Sequence, residues 1–170
     1  MAARVIRYVG VDLGDKRTGL ALADSLTRLP APWTVLEVPL AHQGGDALLA
    51  AIERAIRGEF GSAPPMEVVV GLPLHMDGAE GDRARLARSF AGRLAKRLGV
   101  AVHLADERLT SKQADWALGG SGLTHKQKKM RRDAIAAAGI LAGFLRAADG
   151  DADGNPPAAH PNNEAKGRDP

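Results

Sequence analysis

Three short apolar runs stand within the first 38 residues, Arg4 to Asp12, Thr18 to Ala23 and Trp33 to Val38. Only turn chemistry separates them, at Gly14-Asp15 and over Pro30 to Pro32. Strands joined so closely pair as an antiparallel meander, because a parallel crossover needs a dozen or more residues. The rhythm then changes. Leu48, Ile52 and Ile56 recur at spacing four and predict a helix ended by Gly58 and Gly61, and "MEVVVGLP" predicts a buried strand stopped by Gly71 and Pro73. Leu86, Phe90, Leu94 and Leu98 mark the apolar side of a second helix closed by Gly99, and "VAVHLADE" is a fifth strand. Thr110 and Gln113 have capping-box spacing ahead of a helix through Leu118, and a last helix runs from about Arg132 to Ala148. No internal repeat is visible. The order βββαβαβαα predicts an α/β fold: one mixed five-stranded sheet, a three-strand meander plus two parallel strands, flanked by helices.

A chain of 170 residues, 45% hydrophobic, holds one sizeable core with some chain to spare. The spare part is the end. Residues 149–170 carry five acids and two bases among Pro, Gly and Asn with little to bury, so they are expected to form a disordered acidic tail beyond a folded domain of residues 1–148. Without the tail, 21 bases face 15 acids, and this basic body points to a polyanionic partner. No run of about 20 apolar residues exists to span a membrane. "MAARVIRY" lacks the apolar core of a signal peptide, and the absence of cysteine excludes disulfides, thiolate chemistry and Cys-ligated zinc. A cytoplasmic location is the simplest expectation.

Ligands of such sheets gather at the carboxyl ends of the strands. Asp12 closes the first strand there and Glu107 the fifth. Asp133 lies within roughly 40° of Ala137, Ile140 and Phe144 at 100° per residue, so it heads the stripe that packs on the sheet. Three converging carboxylates without N or S donors make a hard oxygen site for Mg2+ or Mn2+. Two such ions about 4 Å apart activate water and stabilise the leaving oxygen in phosphodiester cleavage. Plainer readings stand beside this one. Asp12 could accept backbone N–H groups of its turn, Asp133 could favour a helix N-terminus, and Glu107 could pair with Arg108, leaving Asp106 as the ligand.

Four blocks in order, "VGVDLGDKRTGLALAD", "VVVGLPLHMDGAEGDRA", "LADERLTSKQA" and "RRDAIAAAGILAGFL", span most of residues 5 to 145. Together they resemble the YqgF (RuvX-like) family of pre-16S rRNA nucleases, also described as Holliday-junction-resolvase-like. The resemblance implies a ribonuclease-H-like fold and divalent-metal phosphodiester hydrolysis, with Asp12, Glu107 and Asp133 as metal ligands. It implies structured RNA as substrate, the 5′ end of pre-16S rRNA within ribosomal precursor particles, with branched DNA as the alternative. The acidic tail lies beyond the family's core.

Bases near these blocks are candidates to hold phosphates: Lys16, Arg17 and Arg108 beside the acids, and Lys126, Lys128, Lys129, Arg131 and Arg132 in "GGSGLTHKQKKMRR", a glycine-started linker between two helices. Arg83, Arg85, Arg88, Arg93, Lys96 and Arg97 read as a solvated helix face. Isolated Trp33 and Trp116 give little basis for a base-stacking platform, and the histidines show no ligand spacing. Two other functions compete. The first block also resembles the phosphate-binding start of actin-like and sugar-kinase folds, but no second lobe is present. A non-catalytic nucleic-acid-binding or ribosome-assembly factor would need the bases and the fold but no chemistry. Monomer and homodimer both fit the sequence.

Overall fold

The computed structural model describes residues 4–61, 66–110 and 124–150. Its strands are β1 (Arg7–Leu13), β2 (Thr18–Asp24), β3 (Ala31–Leu36), β4 (Met66–Leu72) and β5 (Ala101–Asp106). Its helices are α1 (Asp46–Phe60), α2 (Asp82–Leu98) and α3 (His125–Gly150), with short 3-10 turns at His42–Gly45 and Glu107–Leu109. The strands form one sheet in the order β3-β2-β1-β4-β5. β1 pairs antiparallel with β2 and β2 with β3, whereas β1–β4 and β4–β5 are parallel. The meander followed by parallel crossovers is therefore the observed topology.

Strand alternation divides the side chains between two faces. Val9, Val11, Leu13, Leu20, Val68, Val70 and Leu72 point to one face and are covered by Leu48, Ile52, Ile56, Phe90 and Leu94 of α1 and α2. Each such buried side chain is worth about 1.5–3 kcal/mol over its exposed state. On the other face Ala21, Ala23, Val69 and Ala105 meet Ala137, Ile140, Leu141 and Leu145 of α3. Here small residues let the helix come close. A Cβ on Gly10 would stand 2.6 Å from Cγ of Leu141, and one on Gly19 would run into the backbone carbonyl of Asp133.

Several boundaries differ from those the sequence predicts. β3 contains Pro32, read above as turn chemistry, because β3 is an edge strand, where a missing N–H costs little, and its pairing shifts register at Leu20/Ala21. α1 continues through Gly58 and stops at Gly61, whose φ is +77°. The buried stripe of α2 is Ala84, Ala87, Phe90, Ala91 and Leu94, so Leu86 is left exposed. The largest correction is α3, which begins at His125 and not near Arg132. Thr124 and Gln127 exchange hydrogen bonds as a capping box, Thr124 N–H to Gln127 Oε1 at 2.9 Å and Gln127 N–H to Thr124 Oγ1 at 3.2 Å. The five bases expected in a linker accordingly sit on formed helix. The helix expected up to Leu118, beyond Thr110, lies outside the described residues, as does the tail from residue 151. α3 itself reaches Gly150, and Asp149 pairs with Arg28 at 2.8 Å.

Candidate active site

Asp12 is the penultimate residue of β1 and lies on the α3 face, paired across the strands with Gly19. Because Gly19 has no side chain, the backbone of α3 settles there, which sets Asp133 beside Asp12. Glu107 follows β5 in a 3-10 turn started by Asp106, whose carboxylate accepts the N–H of Arg108 at 2.9 Å. That turn directs Glu107 back over β4. A Cβ on Gly71 would stand 2.5 Å from Glu107 Oε1 and 2.6 Å from Cδ1 of Ile140, so Gly71 supplies the space this carboxylate fills. Three glycines on β1, β2 and β4 thus make room for a helix and two acids on one sheet face.

The acids respond to one another. Burial, then repulsion from Asp133, pushes the Asp12 carboxyl up to about 6. Burial, then repulsion from Asp12, pushes Glu107 up to about 7. No hydrogen-bond donor contributes to either shift. Half-buried carboxylates this close in charge favour a proton or a cation. Asp106 behaves oppositely: Arg108 holds it below its ordinary range, through contacts of 3.0 Å from Nε and 2.6 Å from Nη2. Of the two neighbouring acids, Glu107 is the one that shares a site with Asp12.

Asp133 sits in the third turn of α3, so the reading of it as an N-terminal helix charge fails. Its Oδ2 accepts from Nε of Arg17 at 2.8 Å, across 116 residues of sequence, and both side chains are mostly buried. With Asp133 so engaged, no group of three or more acids or histidines stands close enough to share one ion among the described residues. The oxygen donors of Asp12 and Glu107 are of the kind that suits a hard divalent cation.

The bases divide by what they touch. Lys16 is exposed in the β1–β2 turn. Arg108 is occupied by Asp106 and by the carbonyls of His75 and Met76. Lys126 lies 3.7 Å from Glu37, just past the end of β3. Lys128, Lys129 and Arg132 share one side of α3 with His125 and line a pocket of about 190 Å³, while Arg131 is exposed. His125 joins them because i, i+3, i+4 and i+7 fall on one helical stripe, a pattern hidden while the segment is read as a linker. Arg83 was also missed. It lies in the first turn of α2, pairs with Asp15, donates from Nη2 to Leu13 O at 3.4 Å, and lowers the proton affinity of both Asp12 and Glu107. Its place at the start of a helix that follows β4 was the available signal.

Comparison with known proteins gives the family and the fold. The family model RuvX, described as "Holliday junction resolvase", matches residues 6–147. A protein of Anaeromyxobacter sp. (strain Fw109-5) named "Putative pre-16S rRNA nuclease" is 46% identical over 141 residues, 82% of this chain and 96% of that one. Proteins of the same name from Thiobacillus denitrificans and Pelotomaculum thermopropionicum are 41% and 36% identical, covering 80% and 97% of this chain and 88% and 96% of their own. The structure of T. thermophilus RuvC in complex with Holliday junction substrate superposes with a TM-score of 0.50 at 18% identity, over 85% of this chain and 96% of that one. The fold is thereby ribonuclease-H-like. Among the described residues no helix is long and apolar enough to cross a membrane.

Proposed function

Because the chain belongs to the RuvX family, we propose that it is a divalent-metal-dependent endonuclease that hydrolyses phosphodiesters of structured RNA, maturing the 5′ end of pre-16S rRNA in the cytoplasm. The observation that carries this reading is the half-buried carboxylates of Asp12 and Glu107 at the carboxyl end of the sheet, both pushed up, Asp12 with Asp133 as its like-charged neighbour and Glu107 with Asp12, and with no hydrogen-bond donor contributing to either shift. Such a pair is costly to a fold and useful to a cation. Asp12, Glu107 and Asp133 would hold Mg2+ or Mn2+, and the chemistry such ions supply is activation of water and neutralisation of charge on the leaving oxygen.

The chain's own residues account for the rest. Arg17 neutralises Asp133 in the free protein; released, it leaves a carboxylate for the ion and offers its own fork to a phosphate. Arg83 adds a positive charge near both Asp12 and Glu107. Lys128, Lys129 and Arg132, joined by His125, hold substrate phosphates along α3, with Lys16 on the exposed turn as a further contact and Lys126 and Arg131 extending the basic surface. Arg108 acts by shaping the loop it binds.

Cleavage of a labelled pre-16S 5′ fragment beside a four-way DNA junction, with Mn2+, Mg2+ or EDTA, tests the proposal in wild type and Asp12→Asn. Metal-dependent cutting of the RNA, lost in the variant, is the expected result. Preferential cutting of the junction would replace RNA by branched DNA as the substrate. Tight, metal-independent binding without cutting would mark a binding factor.

A further inference from the structure

The loop between β4 and α2 holds an apolar side chain out into solvent with unusual firmness. Met76 is 90% exposed, the most exposed large hydrophobic residue of the described chain. Single exposed apolar residues are common and carry no message alone. This one sits on a braced turn. Gly78 N–H donates to His75 O at 2.8 Å and His75 N–H to Ala79 O at 3.0 Å, while Leu74 and Glu80 form a bridge at the base. The Asp77 carboxylate accepts the Ala79 N–H at 2.9 Å, and Gly78 takes φ +88°. The imidazole of His75 packs on Gly81, filling the room where a Cβ would go. Arg108, the residue after Glu107, donates to Met76 O at 3.2 Å from the same guanidinium that grips Asp106.

Met76 therefore occupies the second position of a turn fixed from both sides, where a polar residue would serve the turn equally well. The loop leaves the carboxyl end of β4, beside the strand whose penultimate residue is Asp12, and is tied to the residue next to Glu107. Its tip lacks a free base, and the acid Asp77 stands next to the methionine. Such a tip does not grip phosphates. What suits an exposed thioether at the rim of a nucleic-acid site is the face of a base: sulfur–aromatic contacts are favourable, and methionine is among the side chains that wedge between base steps.

We propose that Met76 is a strand-opening wedge that stacks on the terminal base pair where a duplex meets an unpaired strand, selecting RNA with such a boundary for the adjacent acids. This inference rests on the nuclease reading and names the substrate feature that reading leaves open. Arg108 serves as the positioning residue that holds the wedge, and the selectivity resides in Met76.

The test uses the full chain in EDTA, so that binding is read without cutting. The probes are an RNA hairpin with a single-stranded 5′ extension, carrying 2-aminopurine in its last base pair, and a uniform RNA duplex. Wild-type protein should raise the 2-aminopurine fluorescence on binding. Met76→Ala should lose that rise and weaken binding of the extended hairpin by about 2- to 10-fold, the range of sulfur–aromatic contacts, with the uniform duplex unaffected. Met76→Leu, which keeps an apolar wedge, should retain most of both. Since Met76 buries almost nothing, unchanged thermal melting of both variants will show that the fold is intact. An unaltered fluorescence rise in Met76→Ala, or an equal loss on both RNAs, would overturn the wedge while leaving the nuclease reading in place. Failure of the wild type to bind either RNA would overturn both.

Discussion

The two faces of the sheet are built on opposite terms. Against α1 and α2 the strands present Val9, Val11, Leu20, Val68 and Val70, and the helices answer with Phe90, Ile52 and Leu94. Against α3 they present Gly10, Gly19, Gly71, Ala21 and Ala105, and the helix answers with Ala134, Ala137, Ile140, Leu141 and Leu145. The first face fills volume; the second surrenders it, so that helix backbone and half-buried carboxylates fit against the strands. On the proposed function, stability and chemistry are separated by the thickness of one sheet, and changes on the two sides should fail in different ways.

Phe90→Ala should cost about 3–5 kcal/mol of unfolding free energy, read by denaturant melts, while cleavage per folded molecule stays near normal. Gly19→Ala should cost less, about 1–3 kcal/mol, yet abolish most cleavage, because a Cβ there displaces the Asp133 backbone. Equal loss of activity in both would break the distinction. Asp12→Asn should go further and separate the two properties in opposite directions. Partners that only orient a metal ligand account for about 10- to 100-fold, so loss of a ligand should lower cleavage more than about 100-fold. The melting temperature in EDTA should rise by a few degrees, since a half-buried charge repelled by Asp133 is gone.

The pH dependence sharpens the comparison. Asp12 and Glu107 bind protons more tightly folded than unfolded, at about 6 and about 7. Their contribution to stability is fully present below the ordinary carboxyl range and is lost as pH rises through those values. Thermal melts in EDTA should therefore decline from pH 5 to pH 8, and Asp12→Asn should flatten the decline. Millimolar Mg2+ should remove most of it, whereas Phe90→Ala should shift the whole curve without changing its slope. The smallest effect belongs to Lys128→Gln and Lys129→Gln. Each should lower the salt dependence of RNA binding by about 0.7–0.9 in log–log slope, with the metal response unchanged.

Much of this division was written in local pattern. Asp12 closes the first apolar run, and helical spacing puts Asp133 on the stripe with Ala137 and Ile140, so two acids and the helix side that meets the sheet were legible. Pro32 and Gly58 misled because the cost of each depends on edge position or on tertiary packing, which no short window reports. Glu107 and Asp106 were inseparable until a 3-10 turn resolved which one follows the strand's last pairing. The contacts of Arg17 with Asp133 and of Arg83 with Asp15 join residues 116 and 68 positions apart, and a side chain's distant partner leaves no periodic trace. The start of α3 was hidden by glycines that precede its capping box.

The Arg17–Asp133 contact has a thermodynamic consequence. One guanidinium and one carboxylate satisfy each other in the free protein, so a ligand that claims either must first undo the same bond. A cation arriving at Asp133 leaves Arg17 seeking an anion, and an anion arriving at Arg17 leaves Asp133 seeking a cation. Whichever comes first has already done that work for the second. If the proposed metal and substrate use these two side chains, each should raise the other's affinity by one common factor, and removing the arginine should uncouple them.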